Sequence, residues 1–522
     1  MVGVPGRSKG CITCRRRKKK CDLQKPNCAN CAKGRFDCEG FGRQMIVVQF
    51  GDDGKGQYRP RRLSKAPTPR DVVPDFGIQA QSLNRSALEV AYFSAFWNLY
   101  LPQAVLNGTI VPKRLNPVIR WVKWIQSMIG KDTTLRCALL ALSLTNLGQA
   151  RIDRAMIEQG MQLYGKALAR LASDIRTPAR IRTSEIMATT SILSTYEQLN
   201  DAAYAARNWH GHVNGLTSLI SMHSPEECSE PDVHEAFVEA RYNGVVAAIA
   251  DRKATYLSSP DWIEKPWQGR RKNVIDTIID VLVQFPESFE EFDNISATPL
   301  SLEMTHRAIL LKERCWDLDR QLKSWYRDYI TCVSGLLPRE HVEYMLDGIA
   351  AAPQVDLPSI LSNCGLAHLY SMSLYWGACI LLYGMMQILY HKFQENPSIR
   401  TEILSSPRMD LRKYSLCIAN TVKYFLNPRA GLAAALGITF SVSCISQSIP
   451  GANLVSPVAC HDSEWKEIAA LIEGIHSTAG CAWTNSFITH LNEWTKKCGL
   501  LCINAVPSGE WSLRRATVTV QI

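Results

Sequence analysis

Six cysteines fall within the stretch CITCRRRKKKCDLQKPNCANCAKGRFDC, Cys11 to Cys38, and their spacing repeats: C-x2-C-x6-C, six residues, then C-x2-C-x6-C. A chain with this pattern has few ways to fold there. Two-residue spacing lets both thiolates of a pair bind one metal ion from a tight turn, and a third cysteine returns after a short helix. Disulfides are the competing use of six thiols. The N-terminal residues MVGVPGRSKGC have no apolar signal region, so secretion and a disulfide framework are not expected.

Three ligands per half leave each tetrahedral zinc one short. The deficit closes when one cysteine of each half bridges both ions, which gives two Zn(II) held by Cys11, Cys14, Cys21, Cys28, Cys31 and Cys38. Symmetry selects the equivalent cysteines Cys11 and Cys28 as the bridges. With only Ile12, Leu23 and Phe36 to bury, the segment has no hydrocarbon core, so metal binding is also what folds it.

Charge explains the company the thiols keep. Residues 1–70 hold 18 Lys and Arg against 5 Asp and Glu, whereas the rest of the chain holds 41 against 43, so the net charge of +11 is carried by the N-terminal segment. Its densest part, RRRKKK at Arg15 to Lys20, lies between two metal ligands. Six thiolates and two divalent ions leave the cluster negative, and the basic run offsets that charge while favouring deprotonated sulfur. A basic module on a near-neutral body is the footprint of a protein that docks on a polyanion.

The geometry suits DNA. Thr13 to Lys19 fit about two helical turns pinned at each end by a ligand, a probe narrow enough for the major groove. Its exit carries Arg17, Lys18 and Lys19, side chains able to donate to guanine O6 and N7. A solvated charged face or a nuclear localisation signal is the plainer reading of RRRKKK, and a localisation role is compatible with DNA contact.

The segment KGCITCRRRKKKCDLQKPNCANCAKGRFDCEGF, Lys9 to Phe41, resembles the fungal binuclear zinc cluster DNA-binding domain of transcription factors, including Asp22 after the third cysteine and Pro26 in the joining loop. In that family the bridging cysteines fall where Cys11 and Cys28 lie. The resemblance implies a nuclear regulator of RNA polymerase II genes that reads a CGG triplet, with Lys18 as main base reader and Arg17 and Lys19 beside it. Arg15 and Lys20 are expected on phosphates, and Lys33 and Arg35 on the DNA backbone.

After the cluster, residues 42–85 are rich in Gly, Pro and charge and read as a linker, with MIVVQF (Met45 to Phe50) as a short apolar interruption. From Ser86 the texture turns helical. Ser86 reads as an N-cap with Glu89 three residues on, and Leu88, Tyr92, Phe96 and Leu99 as the apolar face. Helical periodicity recurs at about 132–148, 154–173, 184–200, 233–250, 301–330, 365–391, 411–425 and 465–496. The fold class is mainly α: a zinc module at 9–41, the linker, and an all-helical body at 86–522. No sustained heptad follows the cysteines. The stretch Tyr164 to Ile220, with its KAL, ILSTYE and WHGHVNG cues, is similar to the middle homology region of fungal zinc cluster regulators, which implies an all-α regulatory scaffold.

Three features invite other readings. SMSLYWGACILLYGMMQIL, Ser371 to Leu389, is 19 uncharged residues long, but its Ser, Gln and Tyr side chains fit a buried core helix better than a membrane span. The uncharged run Ala430 to His461 reads as a helix followed by a buried connector. His210 and His212 are about 200° apart on a helix, so they do not face one ion unless the helix breaks, for which Gly211 leaves room, and Trp209 with one histidine reads as core. The twelve other cysteines, Cys137 to Cys502, show no regular spacing and read as small buried hydrophobes.

No nucleophile elbow, P-loop or dinucleotide fingerprint is present, so no catalytic residue is expected. The expected partner is double-stranded DNA, with no membrane. A second copy, the transcription machinery and a small-molecule effector are left open. The alternative is an enzyme or scaffold whose basic cluster is only a non-specific nucleic-acid or localisation anchor.

Overall fold

The computed structural model describes residues 11–24, 28–36, 38, 76–102, 117–200, 205–297, 301–333, 365–393, 396, 399 and 407–455. Pro26, the MIVVQF run and the helix expected at 465–496 lie outside them. The chain divides into two compact units, Met1–Gly77 and Ile78–Ile522. Among the described residues there is no strand.

The first unit holds two five-residue helices, α1 (Ile12–Arg16) and α2 (Ala29–Lys33). Its buried residues are Cys11, Cys14, Cys28, Cys31 and Thr13, while Leu23 and Phe36 are 47% and 45% exposed. Sulfur takes the place of hydrocarbon in its interior.

All but the first two residues of α3 (Phe76–Tyr100) belong to the second unit; the helix starts at Phe76 rather than at the N-cap expected at Ser86, so helix replaces the last part of the expected linker. Its apolar face also differs. Leu88 is exposed and Tyr92 and Leu99 are half-buried, whereas Phe93, Phe96, Trp97 and Tyr100 are buried. Large rings at i, i+3, i+4 and i+7 form the wider stripe and win the core. Trp97 meets Trp121 of α4 (Pro117–Met128) edge-on at 6.0 Å, and the Trp121 Nε1–H donates to Ser191 Oγ at 2.8 Å.

Next come α5 (Thr133–Arg151), α6 (Arg154–Asp174), α7 (Ser184–Gln198), α8 (Ala205–Ser221) and α9 (Pro231–Asp251), each packed on a sequence neighbour. Start signals match residues: Asp132 Oδ1 accepts from the N–H groups of Thr134 and Leu135 at 2.6 and 2.9 Å, and Asp153 Oδ1 from Met156 at 3.1 Å. A short α10 (Pro260–Glu264) precedes α11 (Val274–Leu282), whose capping box joins Asn273 and Asp276. α12 (Phe285–Ala297) and the 32-residue α13 (Leu302–Val333) follow.

α14 (Gly365–Lys392) is the apolar stretch that could suggest a membrane span by length. It is a core helix: 83% of its apolar window is buried, and it packs on α13, α15 (Leu411–Phe425) and α16 (Gly431–Val455). Asp319 of α13, 1% exposed, accepts from Tyr383 of α14 at 2.8 Å and pairs with Arg408, which ties the helices after residue 365 to those before. α16 stays helical to Val455, past Pro450, where a connector was expected. The run Ile438 to Ile445, buried throughout, carries the helix on, and the missing proline N–H costs one intrahelical bond.

Candidate metal centre and nucleic-acid interface

The repeated spacing is repeated structure. The Cys14 N–H donates to Cys11 Sγ at 3.3 Å, and the Cys31 N–H to Cys28 Sγ at 3.3 Å. The Cys11 N–H donates to Cys21 Sγ at 3.4 Å, and the Cys28 N–H to Cys38 Sγ at 3.5 Å. Each half thus wraps its backbone around its own sulfurs, with donors that suit thiolate.

Two sets of sulfurs converge: Cys11, Cys14, Cys21 and Cys28 in one, Cys11, Cys28, Cys31 and Cys38 in the other, all atoms of a set lying within 4.8 Å of one another. Cys11 and Cys28 belong to both, with their sulfurs 3.6 Å apart. A zinc–sulfur bond of about 2.3 Å puts tetrahedral ligands about 3.8 Å from each other. The pairs Cys14–Cys28 at 3.6 Å and Cys11–Cys31 at 3.8 Å match that edge. Two zinc ions would each find four sulfurs here, with Cys11 and Cys28 common to both sets.

Donor chemistry fits the same ions. Burial pushes the Cys14, Cys28 and Cys31 thiols up to about 12, so this crowd of sulfurs resists ionising without a cation. Divalent zinc supplies the charge that lets them do so. Cys21, half-exposed, is held below the ordinary thiol value by the Cys11 N–H.

Around the metal centre the two halves are stitched by polar contacts. The Ala29 N–H donates to Asp22 Oδ2 at 2.9 Å, satisfying an orphan donor at the start of α2, and Asn30 Nδ2 donates to the Lys20 carbonyl at 2.6 Å. Asp22 therefore braces the second half from the first.

The probe is shorter than two turns. α1 ends at Arg16, the Lys19 N–H closes back on the Cys14 carbonyl at 3.0 Å, and Lys18 takes a left-handed conformation with φ 52°. The return to Cys21 forces this early stop, because the chain must reverse to bring its third sulfur back. Arg17, Lys18, Lys19 and Lys20 consequently leave from the turn after α1; the three lysines are exposed and Arg17 is half-buried. Arg15 lies on α1, and its side chain is outside the described residues. Lys33 and Arg35 are exposed at the exit of α2, where Arg35 repeats the left-handed turn with φ 53°. One contact was not legible in the spacing: the Arg17 guanidinium carbon sits 3.4 Å over the centre of the Phe36 ring.

In the helical body His210 and His212 point apart. His210 Nε2 lies 2.7 Å from Asp251 Oδ2, and His212 Nε2 lies 3.1 Å from the Tyr164 hydroxyl. Trp209 is 1% exposed. Both histidines are structural, each tying α8 to a different helix. The Tyr164 hydroxyl also bonds buried Glu197, whose carboxyl burial holds above its usual range. Of the scattered cysteines whose side chains are described, Cys137, Cys228, Cys315, Cys379 and Cys444 are buried and Cys417 is half-buried; all are free thiols.

Comparison with known proteins bears on both units. The model of the fungal Zn(2)-Cys(6) binuclear cluster domain matches residues 9–45, and that of the fungal specific transcription factor domain matches residues 105–241. The chain is 38% identical over 65 residues to the transcriptional regulatory protein moc3 of Schizosaccharomyces pombe, covering 12% of each. It is 56% identical over 32 residues to an uncharacterized transcriptional regulatory protein of the same yeast, 6% of each, and 22% identical over 145 residues to an uncharacterized protein of Emericella nidulans, 28% of this chain and 31% of that one. These matches span less than a third of each relative's length. No solved structure matches the chain. Residues 9–45 are thus a fungal Zn(2)-Cys(6) binuclear cluster domain with two structural zinc ions, in a chain that also carries a fungal specific transcription factor domain at residues 105–241.

Proposed function

We propose that this chain is a nuclear, zinc-dependent transcription regulator of RNA polymerase II genes that binds double-stranded DNA by sequence and reads CGG-type triplets in the major groove. The observation that carries the reading is the turn after α1: a metal-pinned helix whose exit presents Lys18, Lys19 and Lys20 to solvent. Lys18 is the main base reader, with Arg17 and Lys19 beside it, while Arg15, Lys20, Lys33 and Arg35 meet phosphates. Cys11, Cys14, Cys21, Cys28, Cys31 and Cys38 hold the two zincs, Cys11 and Cys28 serving both. The helical body regulates, and a second copy, the transcription machinery or a small-molecule effector are the partners it would answer to. No residue is assigned a catalytic role.

Selection of sites from randomised duplex DNA by the zinc-loaded full chain tests this. Enrichment of CGG triplets is expected, and their number and spacing report whether the protein binds as a dimer. The rival reading, an enzyme or scaffold with a non-specific basic anchor, predicts binding that weakens with salt equally for every sequence.

A further inference from the structure

The two halves of the zinc module share a backbone but not a tip. A shift of 17 residues superimposes Cys11 on Cys28, and it also places Lys18 on Arg35, both in the left-handed region. The closing bonds correspond as well: Lys19 N–H to the Cys14 carbonyl at 3.0 Å, Phe36 N–H to the Cys31 carbonyl at 2.9 Å. Side chains break the symmetry. Where the first half has Arg17 and Lys19, the second has Gly34 and Phe36.

Those two replacements act together on Arg17. A Cβ at position 34 would lie 2.6 and 2.7 Å from Cδ2 and Cε2 of Phe36, so glycine is what lets the ring lie where it does. In that place the ring meets the guanidinium of Arg17 at 3.4 Å, although Phe36 is 45% exposed and gains little from burial. Donor N–H groups of a guanidinium lie in its plane, so a contact through its face uses none of them. The stack fixes a flexible side chain and leaves its fork available to a planar acceptor.

We propose that Phe36 is a specificity-determining positioning residue: the second half of the cluster contributes the ring that holds Arg17 of the first half ready for a base edge. This rests on the reading of the module as a DNA reader. The pseudo-symmetric pair then works as one reading tip and one support, rather than as two readers.

The test uses the zinc-loaded full chain with Phe36→Leu, Phe36→Trp, Gly34→Ala and Arg17→Ala, each checked for two bound zincs. Affinity is measured for the selected site, for its single-base-pair variants and for an unrelated duplex. Phe36→Leu is expected to lower discrimination at one base pair by roughly two- to fivefold, the strength of an exposed cation–π contact, with binding to the unrelated duplex unchanged. Gly34→Ala, which displaces the ring without deleting it, should do the same, and Phe36→Trp should keep discrimination. In an Arg17→Ala background Phe36→Leu should add nothing. Unaltered discrimination in a two-zinc Phe36→Leu protein, or an equal loss on all duplexes, overturns the proposal. A wild-type chain with no preferred sequence instead removes the DNA-reading assignment itself, and this proposal with it.

Discussion

Lys18 and Arg35 hold φ values of 52° and 53°, a region that costs a non-glycine residue roughly 1–2 kcal/mol. Glycine is the usual occupant of such a helix exit. Lys18→Gly should therefore keep or raise the stability of the zinc module while deleting the proposed base reader, which makes it a cleaner variant than alanine. The expected outcome is undiminished zinc binding with relaxed base preference, and intact preference would pass the reading role to Arg17 or Lys19. His368 shows a different constraint. Fully buried beside the Tyr329 hydroxyl at 2.6 Å, its acidity is pushed to about 4 by burial, so it is neutral in the fold and takes up its proton only on unfolding between about pH 6.5 and 4. The unfolded chain binds the extra proton there, so this group's stability contribution is present above pH 6.5 and is lost as pH falls. His368→Phe should lower stability at pH 7 yet shrink the further loss between pH 7 and 5 by about 2 kcal/mol, measured by urea unfolding at both pH values. Equal losses in both proteins would show that His368 is not the proton acceptor. Spacing and charge are linear properties, so the sequence singles out the six cysteines whose sulfurs converge and the lysines left exposed after α1. The Phe36 ring against Arg17 escaped it, because that contact depends on a glycine two residues before the ring and on a fold-back of the second half onto the first.

At the scale of elements, α5 and α6 form a helical hairpin whose close approach has a local cause. A Cβ on Gly160 would fall 2.1 Å from Thr145 Oγ1 and 2.8 Å from the Thr145 backbone nitrogen, and backbone cannot move aside. Gly160→Ala should cost about 1–3 kcal/mol in chemical denaturation despite the better helix propensity of alanine. A neutral or stabilising result would mean the helices separate freely there. Many long helices were legible from the chain alone: periodicity predicts 411–425 and 184–200, and α15 and α7 run Leu411–Phe425 and Ser184–Gln198, although the 17-residue α8 was not among the periodic stretches. Shorter ones were not. α4, α11 and α12 have 12, 9 and 13 residues, and although each sorts its apolar side chains to one face, runs this short read as readily as connectors between longer elements. α1 was overestimated for the opposite reason. A basic run has good helix propensity, but the third metal ligand ends the helix at Arg16.

For the whole molecule, the two compact units are held together internally by different means. One has four buried cysteines and Thr13 inside; the other has a continuous apolar core from Phe93 to Ile445. A zinc chelator should therefore unfold the N-terminal module and abolish DNA binding while the far-ultraviolet helical signal of the body and its melting temperature stay as they were. Cys28→Ala, which removes a sulfur common to both sets, should match the chelator rather than release one zinc if Cys28 bridges as proposed. A body that melts with the chelator would show that the module stabilises it.

The sulfur interior of the module also sets its thermodynamic character. Heat capacity of unfolding comes mainly from exposing apolar surface, and the module hides very little of it. Its stability curve should be nearly straight in temperature, with no cold-denaturation limb, and should shift instead with free zinc and with proton concentration. The body, full of aromatic and aliphatic side chains, should show the curved profile of a hydrocarbon core. Within a single chain, then, the proposed DNA reader would gauge metal supply and acidity, and the helical body would gauge heat.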